Sequence, residues 1–536
     1  MLIGNRYDAN ENLRPVLCPL EKHWSFLDPD QAGSDYKQVL NMRTGMLTTS
    51  WRQGDFKIES ETVLDPTREI VAQEWTFTWE NGANFSLPYP DTNPPASTEV
   101  KGFVRDGGRL IPQATNNTGR IEEVWRIDRG AYPSFSQVEK DALSEWTTRW
   151  QTDIVIDGPA PDQLAIHSWL FYLRSTVGGT GASLAPFGLS NRRFHGHIFW
   201  DSDIWTFPAL VLIDPEAAKA ISNYRLAHVS EATANAGGQG MRFPWESAVT
   251  GKDVAPSTFA NELHVTGDVA FMLDQAAALG LAPSDKVQEV INGANRFFLS
   301  KSITEGGERT IPNVRSPDEY RKSVTDLYTN CLAQWLAGHA SPPAPVSYHL
   351  PHDSIGLVSY EGDPVQTYQQ ASAILAIYPL QDPRALAQAK TMMKRFPPRV
   401  TKFGPAMSQS LEALILAKLG HKETAYAAWR SSWIDFSSPG LLLFGEKKDG
   451  KETYFDTGAA GCLQAVLYGF LGFGIDWHHN RQAVWATRLK GGHWLNLQPN
   501  LPERWKSVTL RNFTVLGKRY TLTVSHNRTT VTEGEP

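Results

Sequence analysis

Near residue 158 the spacing of apolar residues changes, and that change limits the folds open to this chain more than any other feature of its sequence. Up to about Asp157 apolar and polar residues alternate between Gly, Asn and Pro turns, as in MLTTSWRQGDFKIESETVL, EIVAQEWTFTWENGANFSL and EEVWRIDRGAYPSFSQVEK. A period of two buries one face of an extended segment, which predicts antiparallel strands and a β-sandwich over 1–157. From 158 to 480 the apolar stripe has helical spacing in PDQLAIHSWLFYLRSTV, EAAKAISNYRLAHVSEATANA, ELHVTGDVAFMLDQAAALG, SDKVQEVINGANRFFLSKSI, DPRALAQAKTMMKRF, SQSLEALILAKLG and KETAYAAWRSSWIDF. Ser284, after Pro283, is placed to cap the helix that carries Val287, Val290, Ile291 and Phe298. Successive helices with no strand pattern between them predict stacked helical hairpins, closed into an all-α barrel or toroid, rather than a βαβ sheet. After Trp477 the alternation returns in SVTLRNFTVLGKRYTLTVSH, so 481–536 reads as a small β domain.

With 536 residues, 41% of them hydrophobic, the chain can bury more than one core. Its net charge of -6 is spread in mixed signs with no long basic run, which argues against a nucleic-acid partner. Cys18, Cys331 and Cys462 are odd in number and far apart, giving neither a disulfide framework nor a metal signature, and they fit a reducing compartment. The first residues lack the basic start and apolar core of a signal peptide, and no apolar run would span a bilayer. The expectation is therefore a cytoplasmic protein without a membrane partner; a homodimer stays open. Sequons at Asn84, Asn116, Asn512 and Asn527 arise readily by chance in polar turns. The 18 Trp, 16 Tyr and 24 Phe carry more information, since aromatic faces pack on the C–H faces of sugars as well as in cores.

Three groups of acids stand out. In IPNVRSPDEYRKSVTDLYTN, Pro317 leaves Ser316 extended, so Asp318 and Glu319 are expected in the first turn of a helix, where acids act as caps or as working groups. In HGHIFWDSDIW, Asp201 and Asp203 lie between Trp200 and Trp205. Two aspartates and two histidines at this spacing match no standard zinc frame, so no metal is expected, and the reading is a sugar subsite of carboxylates and indoles. Helix capping by Asp203 is the alternative. Arg242, Trp245, Glu246, Glu262 and His264 place charge among apolar residues, as the wall of a polar pocket would. The third group is Glu446, Asp449, Glu452 and Asp456, before a glycine-containing apolar helix; Asp449 and Glu452 read as a solvated turn.

The blocks GHIFWDSDIWTFPAL, MRFPWESAVTG, ELHVTGDVAF, SPDEYRKSVTDLYTN, YQQASAILAIYPL, GPAMSQS and DTGAAGCLQAVLYGFLGF fall in the order found in glycoside hydrolase family 65, which this chain resembles over about 190–475. The resemblance implies a multidomain α+β protein: an N-terminal antiparallel β-sandwich, an (α/α)6 barrel catalytic domain and a small C-terminal β domain. It implies Glu319 as general acid, Trp200 and Asp201 gripping a glucosyl unit at the cleft floor, and Trp245, Glu246 and Glu262 nearby. Where the family's phosphorylases carry a phosphate-binding Thr-Ser-Glu-Gly loop, this chain reads Asp456-Thr457-Gly458-Ala459-Ala460-Gly461, with fewer donors and an added acid. The hydrolases keep a base glutamate shortly before that loop, and Glu446 occupies its position.

The implied reaction is inverting hydrolysis of a small α-glucoside of the kojibiose, trehalose or glucosyl-galactose type, with the two carboxyls about 6.5–9.5 Å apart and no cofactor. A phosphorylase and a non-catalytic sugar-binding protein are the alternatives. Gln369-Gln370 stands where relatives usually have Lys-Gln, and Arg321 where a His is usual, so the sugar recognised is the open question.

Overall fold

The computed structural model describes residues 2–9, 11–17, 33–53, 56–68, 70–80, 86–88, 96–113, 117–126, 130–176, 183–188, 190–191, 193–448, 450, 452–477 and 483–534. Cys18, Asn84, Asn116 and Asp449 lie outside the described residues. The chain divides into two compact units: one of 1–8, 13–151 and 178–180, the other of 9–12, 152–177 and 181–536.

In the first unit six antiparallel strands form one sheet, its longest members Phe56–Asp65 and Ile70–Trp79, each of ten residues. Alternation places Ile58, Trp75, Phe77 and Ile121 on one face. There they pack with Phe103 and Leu110 of a second, three-stranded sheet, and Phe77 and Phe103 meet edge to face at 5.6 Å.

One stretch read as strand is a helix instead. After the strand Thr118–Arg126, the segment Phe135–Arg149 is α-helical, started by the Ser134 side chain accepting from Gln137 N–H. Phe135, Val138, Ala142 and Trp146 are its buried positions, three and four apart, and the first three pack on Val63, Ile70, Ala72 and Val124.

The second unit is largely helical. Ala160–Thr176, Pro215–Ala227, His264–Ala278, Ser284–Lys301, Ser408–Lys418 and Lys422–Ile434 all fall in the stretches predicted from the apolar stripe. DPRALAQAKTMMKRF forms two short helices, Pro383–Ala387 and Ala389–Arg395. Ser284 is the first helical residue rather than the cap, which is Pro283, and no side chain caps that end.

Buried indoles knit this unit together. Trp429 meets Trp169 at 5.8 Å and Trp505 at 5.1 Å, both edge to face, and each such pair contributes about 0.5–1.5 kcal/mol beyond its buried area. Beneath them Asp162 accepts from Tyr426 Oη at 2.7 Å and Trp505 Nε1 at 2.9 Å and pairs with Arg430.

The C-terminal sheet contains a strand from far upstream. Asp153–Asp157, counted from the sequence with the N-terminal region, pairs antiparallel with Ser507–Val515, followed by Lys518–Ser525 and Thr529–Glu533. The alternation shows that 153–157 is a strand, but a pattern of period two carries no information about its partner. Among the described residues no helix is long and apolar enough to cross a membrane.

Candidate active site

Asp318-Glu319-Tyr320 does not begin a helix. Glu319 has φ 54°, in the left-handed region, and the helix Leu327–His339 starts later with Asp326 as its cap. The chain here is a tight turn in which Glu319 N–H donates to Ser316 O at 2.8 Å and Ser316 N–H to Arg321 O at 3.1 Å. A left-handed glutamate costs about 1 kcal/mol or more, which the surroundings must offset. They do so in two ways. Arg315 Nη1 donates to the Glu319 carbonyl at 2.9 Å, and Asp318 Oδ1 accepts from the backbone N–H groups of Gln369 and Gln370. Asp318 is thus committed to holding the turn, while Glu319, a half-buried residue, accepts from Gln369 Nε2 at 3.2 Å.

Arg315 also donates to Thr258 O and lies 4.1 Å from the ring of Phe259, which stacks on Trp245 at 3.8 Å. Trp245 meets Phe199 edge to face at 4.9 Å. This column sets one ring face of Trp245, expected near the sugar, against Phe259.

Trp200 and Asp201 begin a short segment of wider, π-type pitch, Asp201–Thr206. Gln464 holds its far end by donating to the carbonyls of Ile204 at 2.9 Å and Trp205 at 2.7 Å. Asp201 is buried beside the Thr457 hydroxyl. Burial, helped by the charges of Glu319 and Glu446, pushes its carboxyl up to about 7 against that hydroxyl.

Glu446 lies in an irregular hairpin whose Gly445 bridges to Thr453, and it is partly open to solvent. Its Oε2 lies 3.2 Å from Arg193 Nη2. Burial raises its pKa, opposed first by Arg193 and then by Lys447. Glu319 is also raised by burial, opposed by the Gln369 amide and Arg315, and Glu446 adds to the rise. The fields of Glu319, Glu446 and Asp201 therefore overlap, which brings together carboxylates from three distant stretches of sequence.

A buried chain of polar groups lies alongside. Tyr328 Oη donates to Asp268 Oδ1 at 2.6 Å, His264 Nδ1 is 2.6 Å from Asp268 Oδ2, and His264 Nε2 is 3.1 Å from Glu262 Oε1. Burial opposes the charge on His264, but Asp268 and then Glu262 outweigh it and push the imidazole up to about 10. Burial pushes Glu262 up to about 8 against His264, and the field of Glu319 reaches it. Among the described residues its Oε2 has no hydrogen-bond partner, and it lies 3.9 Å from Arg315 Nε. The edge of Trp200 meets His264 at 4.9 Å.

Other expected sugar ligands are engaged elsewhere. Asp203 is fully buried with both oxygens on Arg225, at 3.0 and 2.5 Å, so it is the buried half of an ion pair and not a group facing a cleft. Arg242 pairs with Asp253 at 2.9 Å and lines a separate cavity of about 320 Å³ with Asn235, Asn261 and Lys301. Gln370 is buried and donates to Pro317 O at 2.5 Å. Glu246 holds His197 Nδ1 at 2.6 Å. Sequence reasoning passed over Arg193, Arg315, Asp268 and Tyr328, which no local pattern marks, because each meets its partner only through the fold.

The stretch that stands in place of the phosphorylases' phosphate-binding loop begins a helix, Asp456–Gln464. Asp456 is buried, and burial raises its pKa well above the usual carboxylate range; the Thr176 hydroxyl is 3.4 Å away. Gly188, with φ 49°, closes over it so tightly that a Cβ there would stand 2.5 Å from Asp456 Oδ2 and 1.8 Å from Thr176 Cγ2. Among the described residues no cluster of three or more His, Cys, Asp or Glu is arranged to hold a metal ion.

The chain is 32% identical over 412 residues to the kojibiose hydrolase of Flavobacterium johnsoniae, covering 71% of this chain and 58% of that protein. It is 31% identical to the protein-glucosylgalactosylhydroxylysine glucosidase of Gallus gallus, covering 62% and 53%. The chain thus spans little more than half the length of these relatives. The solved structure of a putative kojibiose phosphorylase from human microbiome superposes with a TM-score of 0.69 at 16% identity, over 94% of this chain and 83% of that one, a likeness of fold. The model of the glycosyl hydrolase family 65 central catalytic domain matches residues 168–342, which include Trp200, Asp201, Glu262 and Glu319, and that of the family's C-terminal domain matches 488–536. The chain thus matches, in chain order, both the central catalytic and the C-terminal domain models of glycosyl hydrolase family 65.

Proposed function

We propose that the chain hydrolyses a small α-glucoside with inversion, Glu319 acting as general acid and Glu446 as general base. In this reading the helices of the second unit form the (α/α)6 barrel, and Trp200, Asp201 and Glu262 bind the sugar cleaved from its partner. The observation that carries it is the contrast between two half-buried glutamates whose charges oppose each other. Glu319 touches a neutral amide, Gln369, whereas Glu446 touches a guanidinium, Arg193. Burial raises both pKa values, and the guanidinium beside Glu446 favours its ionised form; in this reading Glu319 holds the proton to be given and Glu446 takes one.

Protonated Glu319 then donates to the oxygen leaving the anomeric carbon. Glu446 removes a proton from water attacking the opposite face, and β-glucose results. Gln369, where a lysine is usual in relatives, suits this assignment: an ammonium at that place would favour ionised Glu319 and work against its role.

Kojibiose leads the substrate candidates because relatives at about 31–32% identity are named kojibiose hydrolases. Hydrolysis in place of phosphorolysis is supported by the buried Asp456, sealed by Gly188, where a phosphate would need open donors. The test is a screen of the α-1,1, α-1,2, α-1,3, α-1,4 and α-1,6 glucobioses in phosphate-free buffer, repeated with added phosphate. Free glucose should form from the α-1,2 disaccharide at a rate unchanged by phosphate. Turnover only with phosphate, accompanied by a sugar phosphate, would overturn the hydrolase reading.

A further inference from the structure

We propose that Arg193 is a positioning residue for Glu446, placing a fixed positive charge beside that carboxylate and keeping it ionised; this rests on Glu446 being the base. Ser190 and Asn191 clamp the far limb of the hairpin that carries Glu446. Tyr454 N–H donates to Ser190 Oγ at 2.5 Å, and Asn191 Nδ2 donates to Thr453 O at 2.8 Å. Asn191 Oδ1 accepts from Arg193 N–H at 2.8 Å, fixing the backbone from which the guanidinium extends.

Phe194 and His195 follow in left-handed conformation, with φ 56° and 55°, and turn the chain sharply. Phe194 packs on Phe187 and Phe199. Arg193 is left reaching across the hairpin, with Nη1 paired to Glu452 and Nη2 at 3.2 Å from Glu446 Oε2. Among the described residues Arg193 is the one cation within 4 Å of the Glu446 carboxylate. Among the described residues Glu446 Oε2 has no hydrogen-bond partner, so the guanidinium, held in place by Glu452, acts on it as a nearby charge.

The charged groups facing Glu446 are Arg193 and Lys447, which favour its ionised form, and Glu452, which disfavours it. Glu446 in turn acts on Asp201 and Glu319. With Arg193 removed, burial and Glu452 are opposed by Lys447 alone among these, so Glu446 holds its proton to higher pH. A base works only when ionised. Activity should then be lost on the acidic side and recovered as pH rises.

The test follows kcat/KM for kojibiose against pH for the full chain and for Arg193→Gln, Arg193→Lys, Glu452→Gln and Glu446→Gln. In Arg193→Gln the acidic limb should move up by about one pH unit, with about tenfold lost below it. Arg193→Lys should keep the limb near its original place, and Glu452→Gln, which removes the opposing carboxylate, should move it down. A uniform fall in Arg193→Gln with the limb unmoved would mean that Arg193 merely holds the fold and would overturn the proposal. A limb unmoved in Glu452→Gln would also count against it, and that variant decides the matter should Arg193→Gln fail to fold. If Glu446→Gln is inactive while the limb ignores Arg193, this inference alone falls. If Glu446→Gln still hydrolyses kojibiose, the base assignment itself is wrong.

Discussion

Glu319→Gln should lower kcat for kojibiose by about 10²- to 10⁴-fold, the usual contribution of a positioned proton donor. The amide keeps the size of the side chain and can still meet Gln369, so the loss reports the missing proton and not a disturbed turn. A leaving group that needs no protonation separates the two glutamates. With α-glucosyl fluoride, Glu319→Gln should recover most of its activity. Glu446→Gln should remain slow with both substrates, because water must be activated whichever group departs. Steady-state rates on the two substrates check this, and a Glu319→Gln enzyme equally slow on both would remove the acid from that position.

Arg225→Met should destabilise the second unit by about 3–5 kcal/mol, the typical result of leaving one charge of a buried pair without its partner. Arg225 grips both oxygens of Asp203 and also donates to Phe199 O at 3.2 Å and Ser247 Oγ at 3.3 Å, all out of contact with solvent. These bonds hold the backbone on either side of Trp200 and Asp201, so the loss should reach the sugar site as well as the thermal midpoint. The double variant Asp203→Leu with Arg225→Met should recover much of the stability, since an apolar pair of similar volume needs no charge compensation. Thermal and denaturant unfolding measure both variants. A change under about 1 kcal/mol in Arg225→Met would show that water reaches this pair, and Asp203 would again be available to a ligand.

The layering of this chain was legible because periodicity is local: alternating segments became strands and apolar stripes became helices. It failed where two local readings compete. SPDEYRK carries a proline followed by acids, which reads as a helix start, yet Arg315 and the backbone of Gln369 and Gln370 hold it as a turn with a left-handed glutamate. FSQVEKDALSEWTTR follows an alternating run closely enough to be absorbed into it, although Phe135, Val138, Ala142 and Trp146 keep helical spacing. The candidate acids were visible as residue types in motifs. The groups that tune them, Arg193 beside Glu446 and Asp268 with Tyr328 behind His264, belong to other segments and become neighbours only after folding. Asp203 shows the converse: a motif places two aspartates together, but only packing decides that one faces Thr457 and the other is enclosed by Arg225.

The stereochemistry of the first product tests the central claim most directly. With kojibiose and the full chain, proton NMR taken before mutarotation should show β-glucose from the cleaved glucosyl unit, because water guided by Glu446 attacks the face opposite the bond that Glu319 protonates. α-Glucose as the first product would require a covalent glycosyl-enzyme or attack from the same face, and it would contradict the paired roles assigned to these two residues.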